Sequence, residues 1–288
     1  MTPQLEKEIQ EIIDNNNLNC TIKEFIDKAD WINISGYQRI SEEFIREFKD
    51  KVNWYLISQY QKLSEKLIQE FKEYVDWENI SYHQKLSEEF IKEFKFYVHW
   101  KSISEYQKLS EEFIKEFKDY VNWKCISQYQ KLSEEFIKEF KDYVIFYYIS
   151  SYQALSEEFI KEFDIKVCKN NWLYTSKEDK LKYIKEKTNY EIIDDEYIMA
   201  YKSVRSDRYS VFNFQYQYLD GKTYSAHCDC NNDKENSFGL SAWTYESAKN
   251  YYSKGKILKV KIAIDKIGAI VHNNQKIRCL ELTVIGEI

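Results

Sequence analysis

From Trp31 onward, apolar and polar positions follow one pattern of 23 residues: Trp recurs at 31, 54, 77, 100 and 123, and Phe146 replaces it in the sixth copy. A fixed period of this length identifies a stacked-repeat architecture. In the copy Trp100 to Asn122, WKSISEYQKLSEEFIKEFKDYVN, residues Trp100, Ile103 and Tyr106 fall at i, i+3 and i+6 and predict a first helix. Phe113, Ile114, Phe117, Tyr120 and Val121 fall at i, i+1, i+4, i+7 and i+8 and predict a second. Ser110 stands where an N-cap belongs, and Glu111 and Glu112 place negative charge at the positive end of the helix dipole. Leu109 and Ile114 are spaced for a hydrophobic staple, and Asn53, Asp76 and Asn122 are placed to cap the following first helices. Helices of about 9 and about 11 residues are marginal alone, since isolated helices need roughly 12 to 15 residues in water. Their stability must come from stacking against the copies before and after.

This pattern predicts a short α-solenoid of two-helix repeats over 31–168, entered through an N-terminal helix and capping half-repeat over 1–30. In the half-repeat, Thr21 to Asp30, Ile22 and Phe25 match Ile114 and Phe117. Asp164 to Cys168 departs from the consensus, as a docking surface for a following domain would. A linking helix (Ser176 to Lys185) follows within 169–196, and then the period changes. Tyr197 to Val204, Val211 to Leu219 and Thr223 to Ala226 read as strands, the last two joined across Asp220-Gly221, a two-residue hairpin signal. Thr244 is placed to cap a helix to about Tyr252, and Ile257 to Ile264 and Ile277 to Ile285 alternate as half-buried strands do. Residues 197–288 therefore predict a small α+β domain.

Composition narrows function mainly by exclusion. The formal charge is -6, with a pI near 5.5 and acids and bases interspersed, so no broad nucleic-acid or anionic-membrane surface is expected. No secretory signal and no apolar run long enough to span a membrane is visible. Six scattered cysteines (Cys20, Cys125, Cys168, Cys228, Cys230, Cys279) suit free thiols in a reducing compartment. An intracellular protein without a cofactor is the expectation, its oligomeric state left open. The aromatic content reads first as core, and the Glu and Lys of SEEFIKEF as a solvated face with pairs such as Glu111 to Lys115.

The second, third and sixth positions of the unit vary between copies: Tyr55, Leu56 and Gln59; Glu78, Asn79 and Tyr82; Lys101, Ser102 and Glu105; Lys124, Cys125 and Gln128; Tyr147, Tyr148 and Ser151. A constant frame under a varied stripe on one face of the first helix is how repeat proteins present partner-specific surfaces. The stripe is the candidate binding surface for a protein partner; relaxed surface positions in recent duplicates are the alternative.

Candidate chemistry is confined to the C-terminal third. His227, Cys228 and Cys230, with Cys279 or His272 as a distant fourth ligand, are the residue types of a zinc site, although C-x-C is shorter than the usual knuckle. Cys228 or Cys230 with His227, oriented by Asn231-Asn232-Asp233, is a possible nucleophile arrangement, but that stretch reads more simply as a turn. Walker, G-x-G-x-x-G, H-E-x-x-H and G-x-S-x-G signatures are absent. The order of a strand with Tyr201 and Lys202, a loop to Ser241, a helix and a late strand with Glu281 is loosely similar to ADP-ribosyltransferase-like folds, in which a late-strand Glu orients the ribose. That resemblance implies an enzyme with Tyr201, Ser241 and Glu281 at its site, targeted by the repeats.

The SEEFIKEF copies, followed by DDEYIMAYKSVRSDRYSVFNFQYQYLDGKTYSAHCDCNNDKENSFGLSAW and KIRCLELTV, resemble uncharacterised repeat proteins of mimivirus-like giant DNA viruses over essentially the whole chain. The resemblance implies a viral protein in host cytoplasm, or packaged in a particle, and carries no catalytic residue with it. A non-enzymatic interaction protein is the preferred expectation, with an enzyme or a structural particle component as the alternatives.

Overall fold

The computed structural model describes every residue except 168–170 and 213, so the predicted repeat terminus Cys168 lies outside the described residues. Two compact units, Met1–Ser102 and Ile103–Ile288, divide the chain.

The first unit opens with α1 (Pro3–Asn15), capped by Thr2 and burying Leu5, Ile9, Ile12 and Ile13. The half-repeat contributes only the single turn α2 (Phe25–Lys28). Then come α3 (Trp31–Tyr37), α4 (Glu42–Glu47), α5 (Trp54–Tyr60), α6 (Glu65–Glu70), α7 (Trp77–His83) and α8 (Glu88–Glu93). First helices are 7 residues long and second helices 6, shorter than their apolar spacing predicts. The first helix ends because Gln61 turns extended (φ -91°, ψ 144°), and the second gives way after Phe71 to hydrogen-bonded turns. Caps fall where expected: Asn53 accepts from Leu56 N at 3.1 Å, Asp76 from Asn79 N at 2.8 Å and Ser64 from Leu67 N at 3.2 Å.

Helices this short are held by neighbours, and much of the bonding is polar. Ser58 Oγ donates to Trp54 O (2.7 Å) and accepts from the N–H of Asp76 (2.9 Å), the residue that caps the first helix of the next copy. Gln84 Nε2 donates backward to Ser58 O (3.0 Å) and Gln61 O (2.8 Å), while its Oε1 accepts from Leu63 N (3.1 Å). Gln61 makes the same three bonds to Ser35, Gln38 and Ile40. Buried Gln61 and Gln84 therefore each tie their copy to its predecessor. The acidic residues predicted to face solvent also link copies: Glu42 accepts from Ser64 N (2.8 Å), Glu65 from Ser87 N (2.6 Å), and Arg46 reaches Glu70 at 2.8 Å. In α1, Glu8 takes this role toward Ser41, so α1 closes the first copy as a preceding repeat would.

The unit boundary falls within α9 (Trp100–Tyr106), and the second unit continues with α10 (Glu111–Glu116), α11 (Trp123–Tyr129), α12 (Glu134–Glu139), α13 (Phe146–Tyr152) and α14 (Glu157–Glu162). Ser110 caps α10 and Asn122 caps α11 as expected, whereas Ile145, which replaces the usual Asn or Asp, offers α13 no side-chain cap. Lys115 pairs with Glu139 and Lys138 with Glu162 at 2.6 Å; Glu111 instead accepts from Ser133 N and Oγ. The predicted pair of Glu111 with Lys115 within one helix is thus replaced by bonds between copies.

After a 3-10 turn at Trp172–Tyr174 comes α15 (Lys177–Lys187), capped by Ser176. It is no loose connector. Ile184 is fully buried in the sheet core, and Lys180 Nζ donates to Ile267 O at 2.8 Å. The strands are β1 (Glu191–Ile193), β2 (Tyr197–Val204), β3 (Thr223–Ser225), β4 (Leu240–Trp243), β5 (Lys256–Ala263), β6 (Ile267–Val271), β7 (Lys276–Cys279) and β8 (Glu281–Glu287), with α16 (Tyr245–Tyr251) between β4 and β5. They form one antiparallel sheet in the order β3-β8-β5-β2-β4-β7-β6, with β1 also on β2. A run of short repeated helices followed by an antiparallel sheet domain is therefore the architecture.

Two strand expectations are corrected. Val211 to Leu219, of which residue 213 is not described, holds only an isolated bridge between Tyr209 and Gln217. Gly221 does turn with positive φ (72°), but its N–H goes to Val284 O and β3 pairs with β8, so no hairpin forms there. The alternating run Ile277 to Ile285 is two strands, because Leu280 N leaves the ladder for Lys266 O; β7 lies between β4 and β6, and β8 between β3 and β5. Alternation alone does not distinguish one strand from two meeting end to end.

Candidate protein interface

The stripe residues occupy three environments. Position two is exposed: Tyr55 at 55% and Tyr147 at 69%, with Glu78, Lys101 and Lys124 also open to solvent. Position six (Gln59, Tyr82, Glu105, Gln128) is half-buried. Position three departs from the expectation, since Asn79, Ser102 and Cys125 are buried, and Tyr148 is half-buried with its ring stacked 6.1 Å from Tyr152. The side chain of Leu56 shows why: it would touch a Cβ placed on Gly36 at 3.6 Å, so position three packs toward the preceding copy. The presented surface is positions two and six, bordered by the tyrosine at position seven.

In the second unit this border is covered by the protein's own segment 227–238. Phe238 meets Tyr129 and Tyr152 edge-on, with centroids 4.7 and 5.4 Å away. Lys234 donates to Tyr152 Oη and lies 5.0 Å from that ring's centroid, while Asp229 Oδ2 sits 3.9 Å from the ammonium. Burial raises the Tyr152 pKa, with the Lys234 bond opposing it. Burial opposes the Lys234 charge, but Tyr152 and Asp229 hold its pKa above the usual value. A cleft of about 180 Å³ remains, lined by Tyr147, Ser150, Ser151, Tyr152, Lys166, Asn231 and Lys234.

One side chain holds the segment in shape. Arg278 on β7 is fully buried, and its guanidinium donates to Asp229 O (2.8 Å), Lys234 O (2.5 Å) and Asn231 O (2.6 Å). Neither Arg278 nor Phe238 is legible as an interface residue in the sequence. The available signal was the Tyr kept at position seven in five of the copies (Tyr37, Tyr60, Tyr106, Tyr129, Tyr152) beside positions that vary.

His227 lies within this contact, its ring 5.5 Å from Phe238 and its Nε2 buried without a partner. Burial pushes its pKa down to about 4, against contrary contributions from the Gln128 backbone and Asp229. The unfolded chain takes up a proton near the ordinary histidine pKa of about 6.5, and the folded chain does not. This contribution to stability is therefore fully present above about 6.5 and is lost as pH falls toward about 4. Urea unfolding at pH 7 and pH 5 is expected to show a smaller loss of stability in His227→Gln than in the parent; equal losses would refute the assignment.

The other candidate residues do not assemble as expected. Cys228 and Cys230 face each other, Sγ to Sγ 3.4 Å, against Gly268, where a Cβ would lie 2.5 and 2.8 Å from the two sulfurs. Cys279 Sγ donates to Leu240 O, and His227 lies against Phe238 and hydrogen-bonds the backbone of Gln128. His272 pairs with Glu235 and Asn236. Among the described residues, no group of three or more His, Cys, Asp or Glu is arranged to hold a metal ion. The hydrogen bond with Cys230, together with burial, holds the Cys228 thiol well above its usual pKa, the opposite of an activated nucleophile. Tyr201 pairs with Trp243 across β2 and β4, and Lys202 Nζ donates to Ser241 O at 2.8 Å. Glu281, however, is on β8, separated from β2 by β5, and accepts from Ser225 Oγ at 3.2 Å. Tyr201, Ser241 and Glu281 therefore do not converge on one site. Among the described residues, no helix is long and apolar enough to cross a membrane.

No family model, curated protein or solved structure matches the chain.

Proposed function

We infer that this is a non-enzymatic interaction protein that binds a protein partner through the first helices of its repeats. The observation that carries this reading is the contrast between the bonded frame and position two. Ser58, Gln61 and Gln84 hold the copies together below the surface, while position two offers tyrosine at 55 and 147, glutamate at 78 and lysine at 101 and 124, all exposed. Large exposed aromatic groups beside varied charges are the composition of protein-binding surfaces. The resemblance to giant-virus repeat proteins makes host cytoplasm its expected place of action, with the sheet domain as a second binding module.

The test is quantitative affinity capture with the intact chain from the cells in which it is made, alongside Lys101→Glu/Lys124→Glu and Tyr55→Ala/Gln59→Ala variants. At least one captured protein is expected to fall tenfold or more with a variant whose melting temperature is unchanged. An identical set of captured proteins across all three chains would refute the reading.

A further inference from the structure

The cleft between α13 and the segment 227–238 is lined by hydrogen-bond donors that the fold does not use up. Lys234 has three N–H groups. One goes to Tyr152 Oη, and a second can face Asp229 Oδ2, a buried oxygen 3.9 Å away with no hydrogen-bond partner of its own. The third is left for the cleft. Tyr152 Oη accepts its bond from Lys234, so its own O–H still needs an acceptor, in a residue only 1% exposed. Asn231 Oδ1 accepts from Asp233 N at 2.9 Å, which leaves both hydrogens of its Nδ2 to donate. Lys166 is exposed and has no carboxylate partner among the described residues. All four side chains line the same space.

Charge points the same way. Two ammonium groups line the cleft, and the carboxylate that faces one of them, Asp229, is fully buried and does not line it. Donors converging under an excess of positive charge suit an oxyanion, which accepts charge-assisted bonds at every oxygen. The volume, about 180 Å³, equals roughly six waters at about 30 Å³ each, more than a bare oxyanion fills. The rest of the wall has a different chemistry. Ser150 and Ser151 Oγ donate to Tyr147 O at 3.0 and 2.7 Å, so toward the cleft they offer lone pairs, which accept from hydroxyl groups. Tyr147, 69% exposed, adds an aromatic ring.

We propose that this cleft is a binding site for a phosphorylated sugar. Lys166, Lys234, the Tyr152 O–H and Asn231 Nδ2 hold the phosphoryl group, and Ser150 and Ser151 accept from the sugar hydroxyls. The site goes beyond the partner reading and does not depend on it, since Tyr55, Gln59, Lys101 and Lys124 take no part in the lining.

Isothermal titration of the intact chain with ribose 5-phosphate, glucose 6-phosphate, the two unphosphorylated sugars, inorganic phosphate and an alanine pentapeptide with a central phosphoserine tests the proposal. At least one sugar phosphate is expected to bind with a Kd below about 1 mM and at least tenfold more tightly than inorganic phosphate, while the free sugars do not bind. Lys166→Gln and Tyr152→Phe should each weaken that binding at least tenfold. Lys166 is exposed, so an unchanged melting temperature is expected of its variant; Tyr152→Phe keeps the ring against Phe238 and removes only the hydroxyl. If Tyr152→Phe lowers the melting temperature, Lys166→Gln alone decides. Absence of sugar phosphate binding, or equal binding by Lys166→Gln, overturns the proposal. Inorganic phosphate binding as tightly as the sugar phosphates also overturns it, leaving an oxyanion site only. So does tighter binding of the phosphoserine pentapeptide, which would assign the cleft to a modified protein segment.

Discussion

Replacing Arg278 with Leu is expected to lower the stability of the second unit by about 3 to 5 kcal/mol, the range found when a buried charged group is cut from its partners. The guanidinium serves three carbonyls, those of Asp229, Asn231 and Lys234, and its own burial is complete. An unsatisfied buried acceptor costs about 1 to 3 kcal/mol, and three released together exceed what the added apolar side chain returns. Arg278→Lys should recover only part, because an ammonium lacks the fork that reaches three acceptors from one plane. Urea unfolding gives the loss, and hydrogen exchange over 227–238 shows whether the segment leaves Tyr129 and Tyr152. A loss below about 1 kcal/mol, with unchanged exchange, would show that the segment is held by Phe238 and Lys234 instead.

The second large effect is expected from Gln84→Ala. This change removes donors from Ser58 O and Gln61 O and the acceptor of Leu63 N, in a side chain that is 1% exposed. With at least two backbone groups left buried and unbonded, the cost is about 2 to 4 kcal/mol. The exposed ion pair of Lys115 with Glu139 is the contrast. Lys115→Ala should cost under about 1 kcal/mol, as surface pairs do. Comparing the two melting temperatures separates a frame bonded from within from one held at its surface. Similar small losses would place the stacking energy in the apolar residues alone.

The period, the caps and the apolar stripes were legible because each is written locally and repeated. Ser64, Ser110, Asn53, Asp76 and Asn122 bond a backbone N–H a few residues away, so spacing alone reveals them. The glutamine and serine network was not read, because its bonds join residues 18 to 26 positions apart, although a polar residue held constant at one place in successive copies was its visible trace. Charge pairing was misassigned for the same reason: Lys115 had a partner four residues away in sequence and chose one in the next copy. In the sheet domain, Ile277 to Ile285 alternates correctly yet crosses from one part of the sheet to another, a matter of topology. Of the interface, positions two and six were legible from variation. Phe238 and Arg278 were not, since each acts on a segment remote from it in sequence.

Gln61, Gln84, Gln130 and Gln153 each take the same two carbonyls of the copy before, so the pair that the sixth copy offers in turn is Ser150 O and Gln153 O. At the last copy no seventh glutamine arrives: Tyr174 Oη donates to Gln153 O at 3.1 Å, while Asn171 Nδ2 takes Ser151 O at 2.9 Å, one residue beyond Ser150, the counterpart of Ser127. The terminator thus shares one carbonyl with the glutamine pattern and reaches a second, Ser151 O, that the glutamines leave alone, and both lie in the sixth copy. Gene duplication or deletion in steps of 23 residues among the earlier copies would leave the sixth copy's socket for Asn171 and Tyr174 unchanged. Copy number is then a variable that selection can lengthen or shorten without redesigning either end.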